Sequence, residues 1–166
     1  MITTKKIRNL SFLWIVILLI QACQSDMIYN KYVSIEKNEW GKELVLEFNI
    51  PVQDTVNSYN LFINLRNTKD YGFSNLFLIT QMTFPDQSKV IDTLEYEMTD
   101  AAGHFLGSGF SDIKENKLFY KTNVRFQEPG NYLFQVKQAM RNRNDIEGIN
   151  PLLGVSDVGI SIEKIE

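Results

Sequence analysis

The sequence LVLEFNI, residues 44–50, alternates between side chains suited to a protein core and side chains suited to water. Successive side chains of a β-strand point to opposite faces, so this period of two predicts a strand with one buried face, formed by Leu44, Leu46, Phe48 and Ile50. The same alternation returns in YNLFINL, residues 59–65, after a loop over residues 51–58 that begins with proline. These two segments therefore predict half-buried strands.

Further strand patterns follow along the chain. Residues 75–84 are apolar on both faces, which indicates a central strand, and alternation recurs in residues 90–98, 118–126, 132–136 and 158–162. A turn at Glu128–Asn131 precedes Tyr132, as in the tyrosine corner of immunoglobulin-like domains. Seven or eight short strands with turns between them predict an all-β fold, an antiparallel β-sandwich that is immunoglobulin-like or jelly-roll-like.

Residues 1–22 have the order of a secretory signal peptide. Three positive charges, at Lys5, Lys6 and Arg8, precede an apolar run over residues 10–20, and Ala22 precedes the single cysteine of the chain, Cys23. The run is about half of the roughly twenty residues that a membrane-spanning helix needs. The segment before Cys23 resembles the bacterial lipobox, so we expect Cys23 to be acylated. The alternative is an uncleaved membrane helix with a leftover thiol.

Cleavage before Cys23 leaves a mature chain of 144 residues, the size of one domain. We predict a lipidated tether over residues 23–38 and a single β-sandwich domain over residues 39–166. The mature chain keeps 14 basic and 20 acidic residues, a net charge of −6, with no basic cluster that would favour nucleic acid as a partner. With one cysteine, the domain depends on its core rather than on disulfides.

Candidate catalytic chemistry is sparse. The single histidine, His104, lies in a glycine-rich stretch, residues 103–109, that is not followed by the helix a phosphate-binding loop requires. The aspartates fall near expected turns, where this residue bonds to its own backbone, and no EF-hand spacing occurs. We therefore expect no enzymatic activity, no metal, no cofactor and no small-molecule substrate.

Three features suggest binding or modification. The polar loop with Arg141, Arg143 and Asp145 is a candidate partner-binding site, although it could equally be a solvated rim. Asp54-Thr55-Val56 and Asp92-Thr93-Leu94 resemble the acceptor sequence for O-glycosylation in some gliding bacteria, which makes Thr55 and Thr93 candidate glycosylation sites. The chain has twenty aromatic residues. An alternative function as a glycan-binding or adhesion lipoprotein follows from those that could stack on sugars, among them Trp40, Tyr71 and Phe73.

The mature sequence resembles the gliding-motility lipoprotein GldH family. The resemblance covers essentially all of the mature chain and is carried by residues 29–40, 64–78, 92–94, 100–109 and 154–159. It implies a noncatalytic, lipid-anchored component of the gliding motility and associated protein secretion machinery. It also implies a place in the cell envelope, with other envelope proteins as partners. We expect the outer membrane, with the periplasmic side favoured over the surface. Because relatives occur in species that do not glide, a more general envelope or secretion role is the alternative.

Overall fold

A computed structural model describes residues 27–109, 112–142 and 146–165. Eight long strands and two short ones form the described structure, with a 3₁₀ turn at Glu36–Asn38. The strands are β1 (Met27–Ser34), β2 (Glu39–Trp40), β3 (Leu46–Val52), β4 (Tyr59–Asn67), β5 (Asn75–Thr83), β6 (Lys89–Glu97), β7 (Lys114–Val124), β8 (Gly130–Gln138), β9 (Leu152–Leu153) and β10 (Val155–Lys164).

The eight long strands pair in a nested order. The first pairs with the last (β1 with β10), the second with the seventh (β3 with β8), the third with the sixth (β4 with β7) and the fourth with the fifth (β5 with β6), and every pair is antiparallel. The two four-stranded sheets have the orders β1-β10-β4-β7 and β3-β8-β5-β6. This confirms the predicted antiparallel sandwich, and the strand order is that of a jelly roll.

The core lies between the two sheets and follows the predicted alternation. Leu46, Phe48 and Ile50 are buried while Glu47 and Asn49 are exposed. On the facing sheet, the inward side chains of β4 and β10 are almost completely buried, among them Leu61, Ile63, Leu65, Val158, Ile160 and Ile162. Leu44 is exposed because the strand begins two residues later, at Leu46.

Strand β1 occupies residues that the sequence placed in the tether. Residues 27–34 pair with β10 along their length and form the edge of the first sheet. Only Tyr29 of this strand is buried. An edge strand that buries so little carries a weak alternation, which explains why the sequence placed the start of the domain at residue 39.

The strand directions give the sandwich two different ends. The terminal end holds Met27, Ile165 and the three short connections of the described structure, residues 53–58, 84–88 and 125–129. The loop end holds the longer connections, residues 35–45, 68–74, 98–113 and 139–154. Long connections on a rigid scaffold are common sites of binding, so the loop end is where a partner surface is expected.

Gly154 is required by close packing between two connections of the loop end. Its φ is +84°, and a β-carbon at this position would lie 2.2 Å from the backbone nitrogen of Tyr71. We expect Gly154→Ala to lower the free energy of unfolding by at least about 2 kcal/mol, because it adds this overlap to a strained backbone. Urea unfolding of the purified protein, followed through the fluorescence of the buried Trp40, measures the change.

The matched control is Gly72→Ala, because a β-carbon there meets no heavy atom within 4 Å beyond its chain neighbours. We expect this variant to stay within about 0.5 kcal/mol of the unmodified protein. Equal unfolding midpoints for the two variants would show that residues 68–74 do not pack on Gly154 as described.

Candidate functional site

The connection between β8 and β10, residues 139–154, is closed at its base by the buried side chain of Gln138. The Gln138 amide donates to the carbonyl of Ile149 at 2.7 Å, and its oxygen accepts the Met140 N–H at 2.8 Å. The Ile149 N–H in turn donates to the Met140 carbonyl at 2.8 Å. One side chain therefore fixes both ends of the segment between Met140 and Ile149.

A second set of contacts joins this connection to residues 35–45. Strands β2 and β9 pair, and the Asn150 side-chain oxygen accepts the Lys42 N–H at 3.0 Å. Trp40 of β2 pairs with Leu152 of β9 and is fully buried, and its indole N–H donates to the Leu44 carbonyl at 3.0 Å. These contacts join residues 35–45 to residues 139–142 and 146–154, and such preorganisation lowers the entropy cost of binding a partner.

The surface of these joined connections carries charged and apolar groups together. Arg141 is exposed, and with Lys42, Lys137 and Ile79 it lines a groove of about 180 Å³ beside Ile146, which is 97 % exposed. A second groove, of about 280 Å³, shares Ile79 and Lys137 and continues along the outer face of the β3-β8-β5-β6 sheet. Glu43 and Glu147 line the first groove as well, so charges of both signs surround its apolar residues, a mixture suited to another protein surface.

Of the three predicted partner-binding residues, the structure describes one. Arg141 lies on the groove, whereas Arg143 and Asp145 lie outside the described residues. Sequence reasoning missed Lys42 and Lys137, which reach the same groove from a separate connection and from β8.

The glycine-rich stretch forms part of the loop end. Asp100 organises its turn by accepting the backbone N–H groups of Ala102 and His104, at 2.9 and 2.8 Å. These hydrogen bonds and the nearby His104 ring hold the pKa of Asp100 below its usual value. The His104 ring is largely exposed and stands 3.1 Å from the Asp100 carboxylate. Within the described ranges, no three His, Asp or Glu side chains cluster closely enough to hold a metal ion.

The two candidate glycosylation sites lie in different settings. Thr55 is half-buried in the connection 53–58, which Asp54 ties together by accepting the N–H groups of Val56 and Asn57. Thr93 is exposed in the middle of β6, opposite Ile79 of β5. Glycosylation of either residue stays a prediction.

The aromatic residues that suggested glycan binding do not form an exposed platform. Trp40 is fully buried, and Tyr71 is buried with its hydroxyl donating to the Asn75 carbonyl at 2.7 Å. Phe73 packs edge-on against Tyr71, with 6.0 Å between ring centroids. These three residues stabilise the domain, so this argument for sugar stacking was wrong.

A polar network on the outer face of the first sheet was also missed. The Tyr32 hydroxyl on β1 donates to Glu115 on β7 at 2.7 Å, and Arg66 donates to the same carboxylate at 3.1 Å. The guanidinium of Arg66 lies 4.4 Å from the centroid of the Tyr32 ring. Tyr32 crosses β10 where Gly159 provides the space, since a β-carbon there would lie 2.8 Å from the ring.

Burial and Glu115 raise the pKa of Tyr32 to about 12, and the Tyr32 hydroxyl bond lowers the pKa of Glu115 despite partial burial. The network therefore keeps Glu115 ionised and braces all four strands of this sheet from outside.

Replacing Gln138 tests whether its side chain holds Met140 and Ile149 together. We expect Gln138→Ala to lower the free energy of unfolding by about 2 kcal/mol, because the buried Met140 N–H and the partly buried Ile149 carbonyl both lose their partner. Hydrogen exchange should show faster exchange at the Met140 amide. The control is Gln135→Ala, on the outer face of the same strand, where the side chain bonds to Gln81 and Glu47 near solvent. A loss of protection equal to that in the control would contradict this role of Gln138.

Comparison with known proteins identifies the family of this chain. Residues 27–162 match the model of the family described as GldH lipoprotein. The chain is 47 % identical over 148 residues to a "Gliding motility lipoprotein GldH homolog" of Christiangramia forsetii, covering 89 % of this chain and 90 % of the relative. It is 40 % identical over 159 residues to the "Gliding motility lipoprotein GldH" of Flavobacterium johnsoniae, covering 96 % of this chain and 98 % of the relative.

Among solved structures, the VP2 subviral particle of infectious bursal disease virus overlaps with a TM-score of 0.39 at 13 % identity, covering 83 % of this chain and 32 % of the viral one. These values are too low to relate the two proteins. The family match and the two bacterial relatives span nearly the whole mature chain, and the chain therefore belongs to the GldH lipoprotein family.

Proposed function

We propose that this lipoprotein is a noncatalytic accessory component of the gliding motility machinery and its associated protein secretion, and that it binds other envelope proteins through its loop end. Membership of a gliding-motility lipoprotein family supports the general role. The observation that carries the binding role is the joining of residues 35–45 to residues 146–154 by backbone and side-chain hydrogen bonds. The groove beside them is lined by Arg141, Lys42 and Lys137 together with Glu43 and Glu147.

The proposed anchor is a diacylglyceryl group on Cys23, a residue that lies outside the described part of the chain. Each buried methylene of an acyl chain contributes about 0.8 kcal/mol to membrane binding, so several chains hold a domain of this size firmly. We place the anchor in the outer membrane, with the domain on the periplasmic side.

A noncatalytic role agrees with what the ionisable side chains do. Asp54 and Asp100 organise connections, and Glu115 braces a sheet. The Tyr132 hydroxyl donates to the Glu128 carbonyl at 2.9 Å, which is the corner contact expected at that turn. Each of these groups is occupied by a structural hydrogen bond.

Lipidation is tested by Cys23→Ala. Because the thiol is the atom that accepts the lipid, we expect this variant to lose the acyl mass and to leave the membrane fraction after cleavage, or to accumulate at its precursor size. Intact mass spectrometry and sedimentation of membranes from the native host measure both. A Cys23→Ala chain that stays fully in the membrane at its unprocessed size would identify the N-terminal apolar segment as the anchor.

The motility role is tested by expressing this chain in a Flavobacterium johnsoniae strain that lacks its own GldH. We expect the unmodified chain to restore spreading of colonies. Arg141→Glu should restore it less, because it reverses a charge on the proposed partner surface.

The control is Lys69→Glu, an equal change of charge at an exposed position that does not line the groove. Membrane levels of each variant are compared by immunoblot. Full spreading with Arg141→Glu at normal membrane levels would exclude this groove as the partner surface. Failure of the unmodified chain to restore spreading would contradict the shared motility role.

A further inference from the structure

The described chain begins and ends at the same end of the sandwich. Met27, at the start of β1, pairs with Glu163 near the end of β10. Two residues beyond Glu163, the Ile165 N–H donates to the carbonyl of Ser58 at 3.1 Å, in the connection that also contains Val56. The first strand and the connection 53–58 are therefore neighbours at the terminal end.

The distance between the lipid and this end is limited by covalent geometry. Cys23 precedes Met27 by four residues, and four residues span at most about 14 Å when fully extended. The ten residues of β10 span about 33 Å from the loop end to the terminal end. A tether of this reach keeps Met27 close to the bilayer. It is shorter than the domain is long, so the loop end cannot rest on the bilayer while Cys23 stays anchored there.

The terminal end presents apolar side chains next to the point where the tether enters. Ile28 is 54 % exposed, Val56 is 71 % exposed and Ile165 is 36 % exposed. Lys164 is exposed beside them. Apolar side chains with a neighbouring cation are suited to the boundary between lipid headgroups and acyl chains.

The outer face of the first sheet is less suited to this contact. On the first sheet, the outer face carries the Lys117–Glu163 ion pair at 2.7 Å and the Arg66–Glu115 pair at 3.1 Å. Laying this face on the bilayer would remove water from charges that are now partly exposed, which is costly. The terminal end offers Ile28, Val56 and Ile165 to the bilayer, and its carboxylates Asp54 and Asp86 keep hydrogen bonds within their own connections.

We infer that the terminal end of the sandwich rests on the lipid bilayer through Ile28, Val56 and Ile165, so that the groove at Arg141 and Lys137 is held about 23 Å or more from the membrane, the length of seven residues of β8. This inference rests on the proposed lipidation of Cys23. In this orientation the loop end is accessible to a protein partner at that distance from the membrane, whereas the terminal end is covered by lipid.

Fluorescence quenching tests this orientation in the full lipidated protein. Because the single native cysteine carries the lipid, one introduced cysteine is the only free thiol for a fluorescent label. We would label Val56→Cys at the terminal end, Leu106→Cys at the loop end and Glu36→Cys at the loop end beside the β1 edge, and reconstitute each in vesicles of phosphatidylethanolamine and phosphatidylglycerol. The quencher is a lipid with a nitroxide on its headgroup.

We expect strong loss of fluorescence at position 56 and none above background at positions 36 and 106. Quenching at position 36 equal to that at position 56 would mean that the domain lies on its β1 side, and equal quenching at position 106 would mean that it is inverted or freely tumbling. Either result overturns the inference.

Intact mass of the same samples separates this inference from the proposed function. A lipidated mass with equal quenching at all three positions rejects the orientation and leaves the anchor in place. An unlipidated mass rejects both. Loss of motility complementation with the expected quenching rejects only the motility role.

Discussion

The structure depends on the placement of its last strand. Strand β10 lies between β1 and β4 and pairs with both, so the first sheet exists only when the end of the chain has returned to its beginning. Val158, Ile160 and Ile162 bring the burial that offsets the entropy of closing so long a loop. Such long-range pairing is intrinsically slow to form, and one cysteine leaves no disulfide to assist it.

Once the sheets are closed, the two ends of the sandwich differ in how their connections are held. Short turns finish the end near the termini, where Asp54 and Tyr132 hold tight connections by local hydrogen bonds. At the other end, Gln138, Asn150 and Gly154 lock long connections together through contacts between distant parts of the chain. The chain belongs to a gliding-motility lipoprotein family, and under the proposed anchoring and binding roles the end near the termini faces the membrane and the loop end faces away from it.

The sequence predicted the sandwich because burial on one face imposes a period of two, and that period is local. It is strong at Leu46, Phe48 and Ile50, where the strand is central to packing, and weak in β1, where Tyr29 alone is buried. The groove could be predicted only at Arg141, because its other residues come from β8 and from the connection that holds Lys42. The contact of Tyr32 with Glu115 joins residues that are 83 positions apart and leaves no local signal. Trp40 illustrates the opposite error: composition suggested a sugar platform, whereas tertiary packing uses the ring to join two connections.

The unequal lengths of the connections at the two ends determine where the domain tolerates insertions and deletions. Insertions and deletions in the connections 98–113 and 139–154 change loops outside the two sheets. Lengthening such a loop adds only slightly to the entropy cost of closing it. The turns at residues 84–88 and 125–129 join strands directly, so a change of length there would shift strand register. A change of length is therefore expected to disturb this domain less at the loop end than at the terminal end.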